Sequence, residues 1–390
     1  MSAKVRLGFI TPSSNTALEP AISALVQGHA SAHFARVRVT RIGLDDSSDD
    51  QFDSGSMEGA AELLADARPA ALAWAGTSGS WLGVDRDREL CRRLTAATGV
   101  PATSSTLAVL AACDAYGARR LGLVSPYTAE VSERIAKELD HNGFDVTSQQ
   151  YRGLSDNFEF ADTGTPELTE MVRHAADGAD AVIVLCTNVD GVAVAARAGA
   201  EIGLPVFDSI AATVWHTMAV AGHQLRLPEA GELLTHGTLR ARMQHVVERL
   251  RDATLADRTT LRVDLPAAGL SVSTCAAESC GRTVTSIRAD ASLPQRELET
   301  VRWLETHRVA LVQPDFAVAP YPPRALSDIY GVRAQMLTPV VLGSVMAGWL
   351  SVHSITERPW SDDDCRALDA AGREVTALLD TNRQLGGEVT

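Results

Sequence analysis

One cysteine occupies a position where the sequence alone suggests chemistry. The apolar run 181–185 (AVIVL) predicts a buried strand, and Cys186-Thr187-Asn188 follow it directly. An unperturbed thiol has a pKa of about 8.5, so Cys186 would be protonated at neutral pH and able to deliver a proton to a carbanion. Nucleophilic attack would need a lowered pKa, and no Lys, Arg or His adjoins Cys186 in the sequence. We predict a catalytic proton donor, with an inert core thiol as the alternative.

A glycine-rich turn is the second candidate for chemistry. Residues 76–80 (GTSGS) follow another apolar run and should expose backbone N–H groups. Together with the hydroxyls of Thr77, Ser78 and the distant Tyr127, these groups could hold a carboxylate. The alternative is that Thr77 and Ser78 only cap the helix that follows. The two roles are compatible, because a capped helix start also binds anions.

Other polar residues near these turns leave more than one interpretation open. Asn15 and Asn188 either orient a carboxylate or stabilise turns. Ser13 and Ser14 have no His or Asp partner nearby in the sequence, which argues against a serine-hydrolase triad. His216 lies in an apolar helical segment, so we interpret it as a packed core histidine. The acidic run 45–50 (DDSSDD) predicts a solvated loop, with a lid over the site as the alternative.

The chain contains an internal repeat that relates the two turns. Three pairs of segments share one pattern in the same order: 6–12 with 120–126, 71–77 with 181–187, and 99–101 with 203–205. The offsets fall slowly, from 114 to 110 to 104 residues. One match could arise by chance, but three in order indicate that one α/β unit has been duplicated.

Alternating apolar and amphipathic segments predict βα units on parallel sheets before about residue 225. The predicted strands are 5–10, 34–39, 71–75, 120–125, 181–185 and 206–208, and the predicted helices include 128–142 and 166–176. Ligands bind at the carboxyl ends of such strands. A pseudo-two-fold axis would bring the polar turns together around one cleft, lined by residues 12–16, 76–80, 126–128 and 186–188.

Composition narrows the possible functions. The 390 residues carry a net charge of −14, which argues against nucleic acid or an anionic membrane as a partner. No segment approaches the ~20 apolar residues of a membrane span, and no signal sequence is recognisable. We therefore expect a cytoplasmic homo-oligomer whose six cysteines are reduced. No set of residues has metal-ligand spacing and no phosphate loop is present, so we expect chemistry without a metal or cofactor.

The character of the sequence changes after about residue 225. A helix is predicted at 239–253, a strand at 260–265, two strands within 331–352, and a closing helix after Ser361, a good N-cap. This order predicts an α+β module. We place the first domain at 1–225, with halves of about 1–115 and 116–225, and the second domain at 236–390.

The cleft motifs resemble the maleate cis-trans isomerase and arylmalonate decarboxylase group of the aspartate/glutamate racemase superfamily. The resemblance covers residues 4–222 and implies a fold of two pseudo-symmetric α/β halves that binds a small dicarboxylate. It implies substrate contacts for Ser14, Asn15, Gly76, Thr77, Ser78, Tyr127, Asn157, Thr187 and Asn188. The tail resembles a GAF domain in residues 338–340, 348–352 and 358–364, which allows for a small-molecule ligand there.

One departure from the resemblance shapes the functional hypothesis. Racemases and maleate isomerases of this group place one thiol in each half, but here Gly76 stands where Cys186 stands in the second half. Proton exchange on both faces, or covalent addition by a first-half cysteine, is then unavailable. The leading hypothesis is decarboxylation of a malonate-type dicarboxylate through an enediolate that Cys186 protonates. The alternatives are a maleate-type or racemase-like isomerase, and a non-catalytic small-molecule sensor.

Overall fold

The structure is a computed structural model that describes residues 4–322 and 324–386. The chain divides near residue 238 into two compact units. No helix among these residues is long and apolar enough to cross a membrane. The elements of the first unit, in chain order, are β1 Val5–Pro12, α1 Leu18–Leu25, β2 Ala30–Val37, α2 Asp46–Asp49, α3 Ser54–Ala65, β3 Ala71–Trp74, α4 Gly79–Leu82, α5 Val84–Thr98, β4 Ala102–Ser104, α6 Ser105–Tyr116, β5 Arg120–Tyr127, α7 Ala129–His141, β6 Asp145–Leu154, α8 Thr165–Ala175, β7 Ala181–Val184, α9 Val192–Ile202, β8 Val206–Asp208 and α10 Ser209–Val220.

The first unit contains two four-stranded parallel sheets with the same topology. Their strand orders are β2-β1-β3-β4 and β6-β5-β7-β8. Each central strand is buried along most of its length, and helices connect successive strands. The predicted fold of two pseudo-symmetric α/β halves is therefore confirmed.

The duplication extends to single hydrogen bonds. Ala75 N–H donates to Ile10 O at 2.8 Å, and at the equivalent place Leu185 N–H donates to Val124 O at 2.8 Å. The repeated Gly-x-Pro segments also have a common structural role. Gly99 and Gly203 end α5 and α9 with φ angles of 69° and 70°, in the left-handed region that glycine adopts without strain.

The structure corrects several predicted elements of this unit. The second strand is Ala30–Val37 rather than 34–39, and the sequence did not reveal β4 and β6. β6 lies at a sheet edge and alternates exposed with half-buried residues, so it lacks the apolar run that marks a buried strand. The acidic run is not a loop: Asp45 caps the short helix α2 by accepting from Ser48 N–H at 3.1 Å.

The second unit is built on one five-stranded antiparallel sheet, of order β10-β9-β13-β12-β11. The two strands predicted within 331–352 are confirmed as β12 and β13, joined at Gly343-Ser344. From residue 232 on, the elements are α11 Glu232–Thr254, β9 Arg258–Val263, β10 Ala277–Cys280, α12 Glu299–His307, β11 Leu311–Gln313, α13 Arg324–Asp328, β12 Ala334–Leu342, β13 Val345–Ser354 and α14 Asp362–Gly386.

Candidate active site

Cys186 lies two residues beyond the end of β7, in a buried turn of the first unit, with 2% of the residue exposed. Its Sγ atom accepts a hydrogen bond from Asn188 N–H at 3.3 Å. Burial raises the pKa of the thiol to about 12, although Asn188 N–H and the nearby Tyr127 hydroxyl both act to lower it. The assumption of an unperturbed pKa is therefore wrong. The shift keeps the thiol protonated, the state that proton donation requires.

Two hydroxyls from opposite halves of the unit pair near this sulfur. Thr77 Oγ1 lies 2.9 Å from Tyr127 Oη, and both residues are buried. Either hydroxyl can donate to the other. The Tyr127 ring is held edge-on between Trp81 and Phe160, with ring centroids 5.3 Å from each. The structure thus brings together three residues that are far apart in the sequence.

Five of the remaining predicted site residues form a polar network between the halves. Asn157 Nδ2 donates to Ser14 Oγ at 2.7 Å, and Asn188 Nδ2 donates to Asn157 O. Asn15 Nδ2 donates to Thr187 Oγ1 at 3.3 Å. The side-chain oxygens of Asn15 and Asn188 accept from backbone N–H groups of residues 16–18. In this structure both asparagines stabilise turns, one of the two interpretations that the sequence left open.

The glycine-rich turn presents donors to the same region. The backbone N–H groups of Thr77 and Ser78 donate to no other described residue. Ser80 Oγ donates to Thr77 O at 2.6 Å and so fixes the turn from within. Ser78 Oγ accepts from Trp74 Nε1 at 3.0 Å. Its oxygen therefore orients the Trp74 indole, a role that the sequence did not predict.

Trp74 fills the space that a side chain at Gly76 would need. An ideal Cβ atom at residue 76 would stand 2.4 Å from Trp74 Cζ2 and 2.6 Å from Cε2. Trp74 itself is fully buried. Residues 74 and 76 are two apart along an extended chain, so their side chains point the same way. That spacing is a sequence signal for this contact.

Aromatic side chains surround the turn on the first-half side. Phe52 lies 6.4 Å from Trp74 and 5.9 Å from Trp81, in edge-to-face geometry. Phe52 follows the acidic run, so helix α2 and the turn after it carry this ring to the site. The acidic side chains remain largely exposed, as a solvated segment predicts, but the sequence did not indicate the buried Phe52 beside them.

Two further cysteines and one histidine of this unit lie in helices of the two halves. Cys91 and Cys113 are buried in α5 and α6, where burial raises the pKa of each thiol. His216 is held by Thr103 Oγ1 at 2.8 Å, and burial lowers its pKa to about 4, which fits a neutral packed histidine. Among the described residues, no three His, Cys, Asp or Glu side chains are grouped so as to hold a metal ion.

Comparison with known proteins identifies both units. The family profile for arylmalonate decarboxylase matches residues 7–234, and the GAF domain profile matches residues 238–379. The maleate isomerase of Alcaligenes faecalis is 27% identical over 246 residues, which are 59% of this chain and 96% of that protein. The arylmalonate decarboxylase of Bordetella bronchiseptica is 30% identical over 129 residues, 32% of this chain and 54% of that protein.

The fold agrees with solved structures of the same group. A cysteine-to-serine variant of the Nocardia farcinica maleate cis-trans isomerase, with a covalently bound succinylcysteine intermediate, superposes with a TM-score of 0.55. It is 22% identical and covers 60% of this chain and 99% of its own. At that identity the likeness shows the fold alone. The relatives are isomerases and a lyase. A GAF domain follows the first unit. The first unit is an enzyme of the isomerase or lyase type, and through it the chain belongs to the arylmalonate decarboxylase family.

Proposed function

We propose that the first unit is a cofactor-independent lyase, which removes one carboxylate from a malonate-type dicarboxylate and protonates the product from Cys186. The observation that carries this proposal is the single protonated thiol of the site. Cys186 is buried beside the turns of both halves, and the equivalent position in the first half is Gly76. One acid on one side suits protonation of a carbanion, and it does not suit proton exchange between two faces.

The reaction can be written around these groups. The bond between the α-carbon and one carboxylate breaks, carbon dioxide leaves, and the electron pair remains as an enediolate on the other carboxylate. The Cys186 S–H bond then gives its proton to the α-carbon, which leaves a thiolate. Asn188 N–H donates to this sulfur and the Tyr127 hydroxyl lies near it, so both would stabilise the thiolate as it forms. Water returns the proton after the product leaves.

The developing enediolate needs hydrogen-bond donors in fixed positions. The N–H groups of Thr77 and Ser78 have no other partner among the described residues and belong to a turn held by Ser80. We assign these two N–H groups to the carboxylate that stays. Ser14, Asn15, Asn157, Thr187 and Asn188 would hold the two halves in register around the substrate.

A maleate-type cis-trans isomerase is the second candidate, favoured by one specific finding. The match to the Alcaligenes faecalis maleate isomerase covers 96% of that protein, whereas the match to the Bordetella bronchiseptica decarboxylase covers 54%. Covalent addition of a thiol to a double bond requires a thiolate, however. The burial that raises the pKa of Cys186 to about 12 disfavours that species, and residue 76 supplies no second thiol.

Product analysis separates the candidates. The purified full-length protein is incubated with phenylmalonate and, separately, with maleate, and carbon dioxide and fumarate are measured. Carbon dioxide from phenylmalonate that is lost in Cys186→Ala supports the lyase, and fumarate from maleate supports the isomerase. If neither product forms while a dicarboxylate binds tightly, and binding is unchanged after alkylation of Cys186, the unit is a sensor and the proposal is wrong.

A further inference from the structure

The central sheet of the second unit has two faces of different chemistry. Side chains alternate along a strand, so every second residue of β9, β12 and β13 shares a face. One face is apolar and belongs to a large core with residues of α11 and α14. Its sheet residues are Leu261, Val263, Met336, Val340, Leu350 and Val352, all buried. This face is an ordinary hydrophobic core.

The opposite face of the same strands is also buried, and it combines polar side chains with the apolar Leu337 and Trp349. Register places Arg258 opposite His353 and Thr260 opposite Ser351, while Gln335 pairs with His353 from the other side. Arg262, one step further along β9, is 3% exposed. Burying polar and charged groups destabilises a fold unless each group is paired. The polar side chains of this face therefore need hydrogen-bond or ionic partners.

The segment between β9 and β12 covers this face and leaves a narrow cavity against it. Its wall combines polar side chains of the sheet with side chains of the cover, among them Gln295 and Thr300. Five buried polar atoms on this wall have no hydrogen-bond partner among the described residues. They are Arg262 Nη2, Gln295 Nε2, Tyr330 Oη, Gln335 Oε1 and His353 Nδ1.

Charge distinguishes this cavity from an ordinary pocket for water. Arg258 has a buried counter-ion, since its Nε lies 3.6 Å from Glu278 Oε1. Arg262 donates from Nη1 to the carbonyls of residues 272 and 273, and no carboxylate among the described residues lies within 4 Å of it. The Arg262 charge contributes to lowering the pKa of the Asp290 carboxyl, but it does so from more than 4 Å away. Water can satisfy the dipoles of such a cavity, but it cannot neutralise a buried guanidinium.

We propose that this cavity binds a small monocarboxylate, with one of its oxygens on Arg262 Nη2. A carboxylate supplies the missing negative charge and accepts hydrogen bonds from the planar guanidinium. Gln295 Nε2 and, as its N–H tautomer, His353 Nδ1 are the additional donors. Burial and the two arginine charges lower the pKa of His353 to about 3, so His353 is neutral and adds no second cation. One unpaired cation and a narrow cavity together select a small anion of single charge.

The test uses the full-length protein and 13C-labelled formate as the probe, with sodium chloride at equal ionic strength as the reference. Formate binding is followed by the NMR linewidth of its carbon and by the melting temperature of the protein. We expect saturable broadening that acetate reverses and chloride does not. In Arg262→Met the apparent affinity should fall by roughly tenfold or more, the loss expected for a charged hydrogen bond. The exposed Arg333→Met is the matched control and should behave as the parent.

Two results would overturn the proposal. If formate binds Arg262→Met as tightly as it binds the parent, then its site lies elsewhere, for example in the first unit. A parent protein that shows no difference between formate and chloride holds only water in this cavity. If Arg262→Met does not fold, Arg262→Lys provides the same test, because it keeps the charge but not the planar nitrogen pair. Formate affinity unchanged in Arg262→Lys would then also contradict the assigned contact.

Discussion

The two turns that follow β3 and β7 begin alike and carry different side chains. The first residue of each turn, Ala75 or Leu185, donates its amide hydrogen to the neighbouring central strand at 2.8 Å. The residues on either side of this amide are Val184 and Cys186 in the second half, and Trp74 and Gly76 in the first half. The thiol of one half is thus replaced in the other by a glycine covered by an indole. The two halves share one sheet topology, but the candidate thiol is present in only one of the two turns.

The difference between the two turns involves two residues of the first half, Gly76 and Trp74. Gly76 alone would leave an open space, which a single substitution could refill. Trp74 closes that space and is itself fixed by Ser78 and Phe52. A tightly packed interior does not accept an added side chain without displacement of its neighbours. The asymmetry is therefore built into the packing as well as into the sequence.

Removing the thiol should produce the largest effect. Cys186→Ala should lower kcat by on the order of 10²–10⁴-fold, the usual contribution of a positioned proton donor, while substrate binding is kept. Steady-state kinetics with phenylmalonate and a binding titration measure the two effects. Cys91→Ala, at another buried thiol of the same unit, is the control. A Cys186→Ala enzyme within about tenfold of the parent rate would remove Cys186 from the mechanism.

Restoring the symmetry of the two turns should require two changes. Gly76→Cys alone should unfold at lower denaturant, because its Cβ atom would meet the Trp74 ring. The backbone at Gly76 does not use a positive φ, so this contact is the source of the strain. Trp74→Val, which copies Val184, should cost about 3–5 kcal/mol as a large-to-small change. Gly76→Cys should cost less in that background than in the parent, which a double-mutant cycle measures.

The same pair of variants tests the stereochemistry. With methyl(phenyl)malonate as substrate, the parent should give one enantiomer, and Trp74→Val/Gly76→Cys should give a product of lower enantiomeric purity. Chiral chromatography measures the ratio, with Trp74→Val as the control for pocket enlargement. An active double variant that stays as enantiopure as the parent would argue that residues 76 and 186 do not face each other across the substrate.

Removing the Tyr127 hydroxyl should have a smaller effect. Tyr127→Phe keeps the ring between Trp81 and Phe160 but removes the hydroxyl that acts to lower the pKa of Cys186. A hydrogen bond to a charged group contributes about 1.5–3 kcal/mol, so kcat should fall by roughly tenfold to a hundredfold. The exposed Tyr151→Phe serves as the control. If KM changes and kcat does not, Tyr127 contacts the substrate rather than the sulfur.

The raised pKa of Cys186 predicts a modest dependence of stability on pH. The thiol ionises near pH 9 in the unfolded chain but only near pH 12 in the folded protein. Between these values the unfolded state binds fewer protons, so the contribution of Cys186 to stability falls by about 1.4 kcal/mol per pH unit. Urea unfolding of the parent and Cys186→Ala at pH 8, 9 and 10 isolates this term. Equal slopes in the two proteins would mean that the pKa is not raised.

Much of the fold was predictable because it depends on patterns that are local in the sequence. The repeated segments and buried runs identified the central strands of both halves, and Cys186 was found because it follows such a run. The edge strand β6 was missed because half-exposed residues leave no apolar signal. Phe52 and Trp74 were missed because their importance comes from contacts with each other and with Gly76.

The sequence by itself determined the duplicated α/β architecture, the position of the one candidate thiol and the absence of a thiol at residue 76. These follow from residue identity and periodicity, which need no knowledge of contacts. Only the tertiary structure decided that the Tyr127 hydroxyl pairs with Thr77, that the oxygens of Asn15 and Asn188 are used by backbone N–H groups, and that Trp74 occupies the space beside Gly76. The physical reason is that hydrogen bonds and packing depend on distances between residues far apart in the chain, which neither composition nor spacing specifies.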